Sequence, residues 1–516
     1  MARGAVTIIG AGVAALVAAL TLFPLGAVFF RAGTWPAFAN GDWDAVAFTV
    51  TQSFLSALVS CILAVPVARA LARSRFPGRS VLIVLMGAPF ILPVIVAVLG
   101  LVAVFGRSGI VNDLLVIFGL PKVSIYGLWG VVLAHVFLNL PLAVRMLLHG
   151  WQTIPADRFR LAVSLGFGPR DLSRHLEWPM LRMVLPGIFV VIFVICLTSF
   201  AVALTLGGGP AATTVELAIY QAVKFDFDLG RAALLAATQF AIGIGAALLV
   251  FRWAAPPAFG AALDRELIIP RATGWRLWGD VTAISLAALF LILPLASIVL
   301  RGVPGLSQLP EQVWMALVRS TGIAVLSCIL TTIAALMLSL AVASRQKPGG
   351  LIEISGVMPL ATSGLVLGVG LFLLVQPFLL PGAVAVPVTL MVNTLLSLPF
   401  VYRILLPEAR LLIADYARLS AALGIGGWAW LRWVALPRLA RPLGFGAGIA
   451  AAFSMGDLGV ITLFASDGTA TLPLVVQRLM SAYRMDQAMA AALLLVASSF
   501  ALFLIFDALG RCHADA

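Results

Sequence analysis

Of 516 residues, 62% are hydrophobic and 10% carry charge, whereas ordinary soluble domains are about half apolar and a quarter charged. A water-soluble core is thereby excluded, and the scatter of 47 Gly and 29 Pro excludes a collagen-like or disordered chain. The formal charge of +12 is not a nucleic-acid signature, because the 33 Lys and Arg come in short clusters between apolar runs and act as topology signals. The composition is that of an all-α polytopic membrane protein.

A helix needs about 20 apolar residues to cross the hydrocarbon layer. Runs of that kind centre near Val17, Leu63, Val94, Leu133, Val194, Ile242, Ala288, Ile329, Val366, Thr394, Ala452 and Ser498, which predicts twelve spans. The first run could be mistaken for a secretory signal, since Arg3 precedes it and Ala37-Phe38-Ala39 follows it. Its apolar stretch over 5–30 exceeds the usual signal core of about 7 to 15 residues, so it is expected to be retained as a span. Cys61, Cys196 and Cys328 lie inside apolar runs and Cys512 beside the C-terminus, so neither disulfides nor a metal site is expected, and no cofactor. Counted loop by loop, 24 Lys and Arg fall on the side of the N-terminus and 9 on the other. The positive-inside rule then places both termini in the cytoplasm.

Residues 140–179 laid over 398–437, at a constant displacement of 258, share 14 of 40 positions; composition alone would give on the order of four. The identities include Pro141/Pro399, Arg145/Arg403, Asp157/Asp415, Arg160/Arg418, Gly166/Gly424, Gly168/Gly426 and Pro179/Pro437. Upstream, Ser60-Cys61-Ile62-Leu63 matches Ser327-Cys328-Ile329-Leu330, and Gly100-Leu101 matches Gly370-Leu371. The chain therefore reads as a first half over 1–255, a cytoplasmic linker over 256–276 and a second half over 277–516. Six spans per half is even, so both halves have the same orientation.

The strongest identities lie in a long cytoplasmic loop. There Pro155-Ala156-Asp157 opens a short helix that runs to Leu165, where Gly166 permits a left-handed stop. A second short helix over 169–177 is expected to end before Pro179. The second copy repeats the plan from Ala414-Asp415 through Leu423-Gly424 to Leu436-Pro437. Each helix-Gly-helix elbow offers an apolar knob, and two copies imply a partner with two-fold symmetry.

Polar groups within spans usually face a cavity or a neighbouring helix. The candidates for a translocation pathway are His135 and Asn139, one turn apart on the fourth span, Asn393 near the equivalent place in the second half, and Asp457 on the eleventh. Gly207-Gly208-Gly209-Pro210 reads as an outward turn, because no Gly-Lys-Ser/Thr follows to make a phosphate loop. Beside it Glu216, Tyr220 and Gln221 are placed to meet a cationic aromatic ligand by charge and stacking; the alternative is an ordinary solvated helix start.

An apolar residue, Gly, and Pro thirteen residues later, between the fourth and fifth spans, resembles the signature loop of bacterial ABC importer permeases. The resemblance implies a type I importer fold of two fused six-helix halves, with coupling helices that dock on a cytoplasmic ATPase homodimer. The docking residues it implies are Asp157, Arg160, Leu161, Ala162, Leu165, Gly166 and Pro179, with Asp415, Arg418, Leu419, Leu423, Gly424 and Pro437 in the second copy. The family's Glu-Ala-Ala triplet is here Arg160-Leu161-Ala162 and Arg418-Leu419-Ser420. The stretches Arg75-Phe76-Pro77-Gly78-Arg79, Ile91-Leu92-Pro93-Val94, His135-Val136-Phe137-Leu138-Asn139 and the glycine-rich run through Gln221 further resemble permeases of thiamine ABC transporters. That resemblance implies thiamine, with its phosphates as a further candidate, delivered by a periplasmic substrate-binding protein, and ATP hydrolysed by a separate subunit. Gly456-Asp457-Leu458-Gly459 also resembles ferric iron permeases, which leaves iron as the alternative cargo. A rival of another class is an ion-coupled secondary transporter, to which Arg73 to Arg79 bears a faint likeness.

Overall fold

The computed structural model describes residues 2–31, 38–87, 91–209, 212–253, 274–345 and 350–514, and contains no strand among them. In a bilayer only helices satisfy every backbone group within one segment, and the apolar runs fold accordingly. The first half comprises α1 (Ala2–Arg31), α2 (Asn40–Arg73), α3 (Arg79–Leu85), α4 (Val94–Phe105), α5 (Ile110–Ile117), α6 (Leu128–Gln152), α7 (Ala156–Ser164), α8 (Pro169–Leu172), α9 (Trp178–Leu197), α10 (Phe200–Leu206), α11 (Val215–Lys224) and α12 (Leu229–Trp253). The second comprises α13 (Trp275–Gly305), α14 (Glu311–Ala343), α15 (Leu351–Val357), α16 (Gly364–Val375), α17 (Pro381–Ala422), α18 (Gly427–Trp430), α19 (Leu436–Gly456), α20 (Gly459–Phe464), α21 (Leu472–Ser481) and α22 (Met485–Ala514). Among the described residues eleven helices are long and apolar enough to cross a membrane, and a bent pair taken as one span makes a twelfth.

The third span of each half differs from the straight rod that hydropathy predicts. In the second half the chain turns by 96° between 351–361 and α16, and in the first half α4 likewise starts afresh after Pro93. Pro93 has no N–H to continue a helix and disfavours helical geometry in the residue before it. In the second copy the break falls at Thr362-Ser363, where the Ser363 hydroxyl accepts the Val366 N–H at 3.1 Å and caps α16. The 12-residue arm α16 is about 18 Å long, well short of the roughly 30 Å hydrocarbon layer, whereas α4 continues with α5 over Val94–Ile117 as one of the eleven spans.

The halves exchange their first spans. Helix α1 packs on α14 and α16 of the second half, and α13 packs on α2 and α4 of the first. The crossings are equivalent. A Cβ built on Gly100 would lie 2.9 Å from the Pro294 carbonyl oxygen, and one on Gly370 would collide with the Pro24 carbonyl oxygen. The same displacement of 270 relates both pairs, so the matched Gly-Leu dipeptides are sites of close helix approach.

The expected linker over 256–276 lies almost wholly outside the described residues, as do Pro210 and Ala211.

Candidate functional site

Two places carry the paired features, one at each end of the spans. At one end are the elbows. In the first, Gly166 has φ +74 and in the second Gly424 has φ +66. The Gly166 N–H bonds the Val163 carbonyl at 3.0 Å while the Phe167 N–H bonds that of Ala162 at 3.0 Å; Gly424 to Ala421 at 3.3 Å and Ile425 to Ser420 at 2.9 Å repeat the pair. These are two Schellman stops, satisfying carbonyls that the helix ends leave open.

Four apolar side chains stand out from the elbows. Leu161 and Leu165 are 61% and 64% exposed, and their counterparts Leu419 and Leu423 are 54% and 64% exposed. Residues four apart share a helix face, so each elbow presents a two-leucine knob. Ala162 and Ser420 point the other way and are buried. Asp157 and Arg160 pair at 3.3 Å on the first elbow's surface, and Glu177 anchors it by reaching Arg69 at 2.6 Å and Arg73 at 3.8 Å on α2.

Two expectations for the elbows need correction. The second copy does not start a separate helix at Ala414-Asp415, since α17 runs unbroken from Pro381 to Ala422. The cause is one residue: Pro155, which breaks the first copy, is matched by Ile413, which donates its N–H. Nor does the short helix over 169–177 end before Pro179. It continues into α9 through a π turn over Ser173–Glu177, as does the second copy through Leu431–Ala435 before Pro437. The wider turn accommodates a ring that would clash with a carbonyl four residues back.

At the other end, the re-entrant helices α11 and α21 each pack on the broken third span of the opposite half, α11 on α16 and α21 on α4. Equivalent bonds seat them. The Val215 N–H bonds Thr49 Oγ1 at 2.9 Å, and the Leu472 N–H bonds Ser320 Oγ at 2.8 Å. Glu216, one residue on, is buried rather than solvated and lies within hydrogen-bonding reach of the Ser363 hydroxyl. Tyr220 is half-buried, its ring 5.4 Å from Phe200 and 5.7 Å from Phe225, and Arg478 of α21 is close enough to act on its hydroxyl. Gln221 is half-buried beside it. Asp457 follows the end of α19, its Oδ1 accepting the Gly459 N–H at 3.2 Å.

The remaining candidates are engaged within a half. His135 Nδ1 lies 3.2 Å from Ser56 Oγ, Asn139 Nδ2 donates to the His135 carbonyl at 2.9 Å and to Cys196 Sγ at 3.4 Å, and Asn393 Nδ2 donates to Ser454 Oγ at 2.9 Å. The Asn139–His135 bond lies within α6, and the others join helices of the same repeat. They do not bring His135, Asn139 and Asn393 together with Glu216.

Sequence reasoning missed Ser363 and Pro93 as bend points, although Pro93 inside an apolar run was the available signal. It also missed the clamp in which Arg231 holds buried Asp42 at 2.8 Å and Asp226 at 3.0 Å. Among the described residues no group of His, Cys, Asp or Glu is placed to hold a metal.

Eleven or twelve candidate spans among the described residues, a duplicated elbow and first spans packed across the repeat are the features of a polytopic transport permease. The chain is 40% identical to the thiamine transport system permease protein ThiP of Escherichia coli (strain K12), over 90% of this chain and 89% of that protein. It is 38% identical to the protein of the same name from Salmonella typhimurium (97% of this chain, 96% of that protein) and 37% identical to that from Brucella abortus (94% and 91%). No protein-family model matches the chain. At this identity and coverage the chain belongs to the thiamine transport system permease family, multi-pass proteins of the inner membrane.

Proposed function

We propose that the chain is the membrane-spanning part of an ATP-driven ABC importer for thiamine. The observation that carries the reading is the duplicated elbow: two left-handed glycine stops and two matched leucine pairs, exposed where a soluble protein would bury them. A two-fold ATPase dimer has two equivalent grooves to receive them. Closure of that dimer on ATP draws the elbows together, and the rigid helices continuous with them, α17 and the run from α8 into α9, carry the movement to the far end. There the broken third spans and re-entrant helices meet across the halves and part to admit cargo.

Under this reading the elbows and both termini are cytoplasmic, and the opposite face receives the substrate-binding protein. Phe227 and Tyr483 support that face. They are the two described non-glycine residues with left-handed backbone, φ +53 and +58, at equivalent turns after α11 and α21, and both rings are largely exposed. A non-glycine residue held there stores strain, and two aromatic tips in matching turns suit a docking surface. Thiamine is supported over ferric iron by the names of the relatives, and by the aromatic and carboxylate groups of α11 where a metal cargo would favour a denser oxygen set.

The test is competition of cargoes. The chain, its ATPase and its binding protein are reconstituted in liposomes and offered thiamine or ferric ion at saturation. ATP-dependent accumulation of thiamine, at least tenfold above that of iron, is expected; accumulation of iron without thiamine would overturn the cargo while leaving the elbows their role.

A further inference from the structure

Two carboxylates near the outer ends of the halves each keep one oxygen out of water without a hydrogen-bond partner. Glu216 on α11 is 1% exposed, and its Oε1 has no hydrogen-bond partner. Its nearest polar neighbour across the interface is Ser363, at the bend of the second half's third span. Asp457, in the second half, has Oδ1 on the Gly459 N–H, while Oδ2 is buried without a partner. The residue before it, Gly456, lies against Pro93 at the bend of the first half's third span, where an added Cβ would come 3.2 Å from the Pro93 Cα. Each half thus contributes one carboxylate, and each stands at the bend of the other half's broken helix.

The duplication supplies an internal control. The matched bonds Val215 to Thr49 and Leu472 to Ser320 set Glu216 opposite Pro473, and the 258-residue displacement sets Asp457 opposite Ser199. In both cases the other copy builds the same turn with an uncharged residue. Burying a carboxylate oxygen without a partner is costly, and ionisable groups embedded among spans are retained for what passes them. Asp457 Oδ1 serves the first N–H of α20, but no bond within the fold accounts for Glu216 Oε1 or Asp457 Oδ2.

We propose that Glu216 and Asp457 are the two anionic posts of a gate between the halves, and that the transported organic cation passes between them as the broken spans separate. The proposal rests on the thiamine reading, because a positively charged aromatic ring is the cargo that needs such posts. In the closed state the bend at Ser363 occupies Glu216 on one side and leaves Oε1 open. Separation of the halves withdraws Ser363, and the cation takes its place. Tyr220, one turn along α11 from Glu216, packs in T-shaped contact with Phe200 and Phe225; a cation over an aromatic face is attracted by the ring quadrupole. The posts select charge, and the ring selects a flat cation over a hydrated one.

The experiment measures thiamine delivered per ATP hydrolysed in liposomes holding the assembled importer. The neutral, same-sized double variant Glu216→Gln/Asp457→Asn is expected to deliver at least tenfold less per ATP. The charge-keeping variant Glu216→Asp/Asp457→Glu is expected to recover at least a third of the unaltered yield. A merely structural role predicts the reverse, since the isosteres preserve shape and the charge-keeping pair does not. Delivery by the neutral variant within twofold of the unaltered chain would overturn the proposal, as would a charge-keeping variant no better than the neutral one. Failure of the unaltered importer to deliver thiamine at all would instead overturn the thiamine reading, and the gate with it.

Discussion

Replacing Leu161, Leu165, Leu419 and Leu423 together with Asp is expected to release the ATPase from the membrane chain while leaving the spans assembled. Fully burying a leucine is worth about 1.5–3 kcal/mol, and these four are each more than half exposed in the isolated chain. Burying what remains would contribute about 4–7 kcal/mol, or roughly three to five powers of ten in affinity. Asp removes that term and adds a charge that has to be desolvated. The spans should be indifferent, because the buried side of the first elbow is held by Phe159 and Ala162 and by Glu177 on Arg69. Binding of the purified ATPase to the detergent-solubilised chain measures the effect: Kd should rise at least a thousandfold at unchanged melting temperature. A rise under tenfold would show that the leucine knobs are not the docking surface.

The second large effect is on the exchanged spans. Gly370→Leu sets a side chain against the backbone carbonyl of Pro24, and Gly100→Leu sets one 2.9 Å from that of Pro294. A carbonyl within a packed helix cannot swing aside as a side-chain tip can, so the first span of the opposite half has to be displaced. Overpacking of this sort costs on the order of 3 kcal/mol per site. Gly26, on the same helix as Pro24, has nothing within 4 Å of a built Cβ; Gly26→Leu should be neutral or gain up to about 1 kcal/mol from helix propensity. Thermal melting of the solubilised chain separates the three variants. A cost of about 3 kcal/mol lowers the melting temperature of a chain of this length by only about 3 °C, so Gly370→Leu melting no lower than Gly26→Leu would contradict the exchange.

The parts of this architecture that sequence made legible are those written in local chemistry. Span number follows from apolar length, and the elbow stops follow from glycine, because Gly166 and Gly424 adopt the left-handed backbone that a following Phe167 or Ile425 could not share cheaply. What escaped detection depends on partners remote in sequence. The 96° bend at Thr362-Ser363 sits in an apolar run whose hydropathy is continuous, so no window average can find it. Glu216 reads as a solvated helix start until α16 is placed over it. Exchange of α1 and α13 left only a trace, Gly100-Leu101 against Gly370-Leu371, and nothing in that dipeptide says which helix approaches it. The merged helix α17 shows how little separates the two copies locally: one Pro155 to Ile413 difference decides between a broken and a continuous arm.

If this chain moves cargo only as the membrane part of an ATP-driven assembly, uptake with each component withheld in turn shows it most directly. Liposomes holding the chain with its ATPase and binding protein are expected to accumulate thiamine when ATP is present. Uptake should fall to background when ATP, the ATPase or the binding protein is omitted, and should persist when the proton gradient is collapsed. A secondary transporter carries its coupling sites within its own spans, so uptake of thiamine by the chain alone, driven by an ion gradient without ATP, would contradict the account.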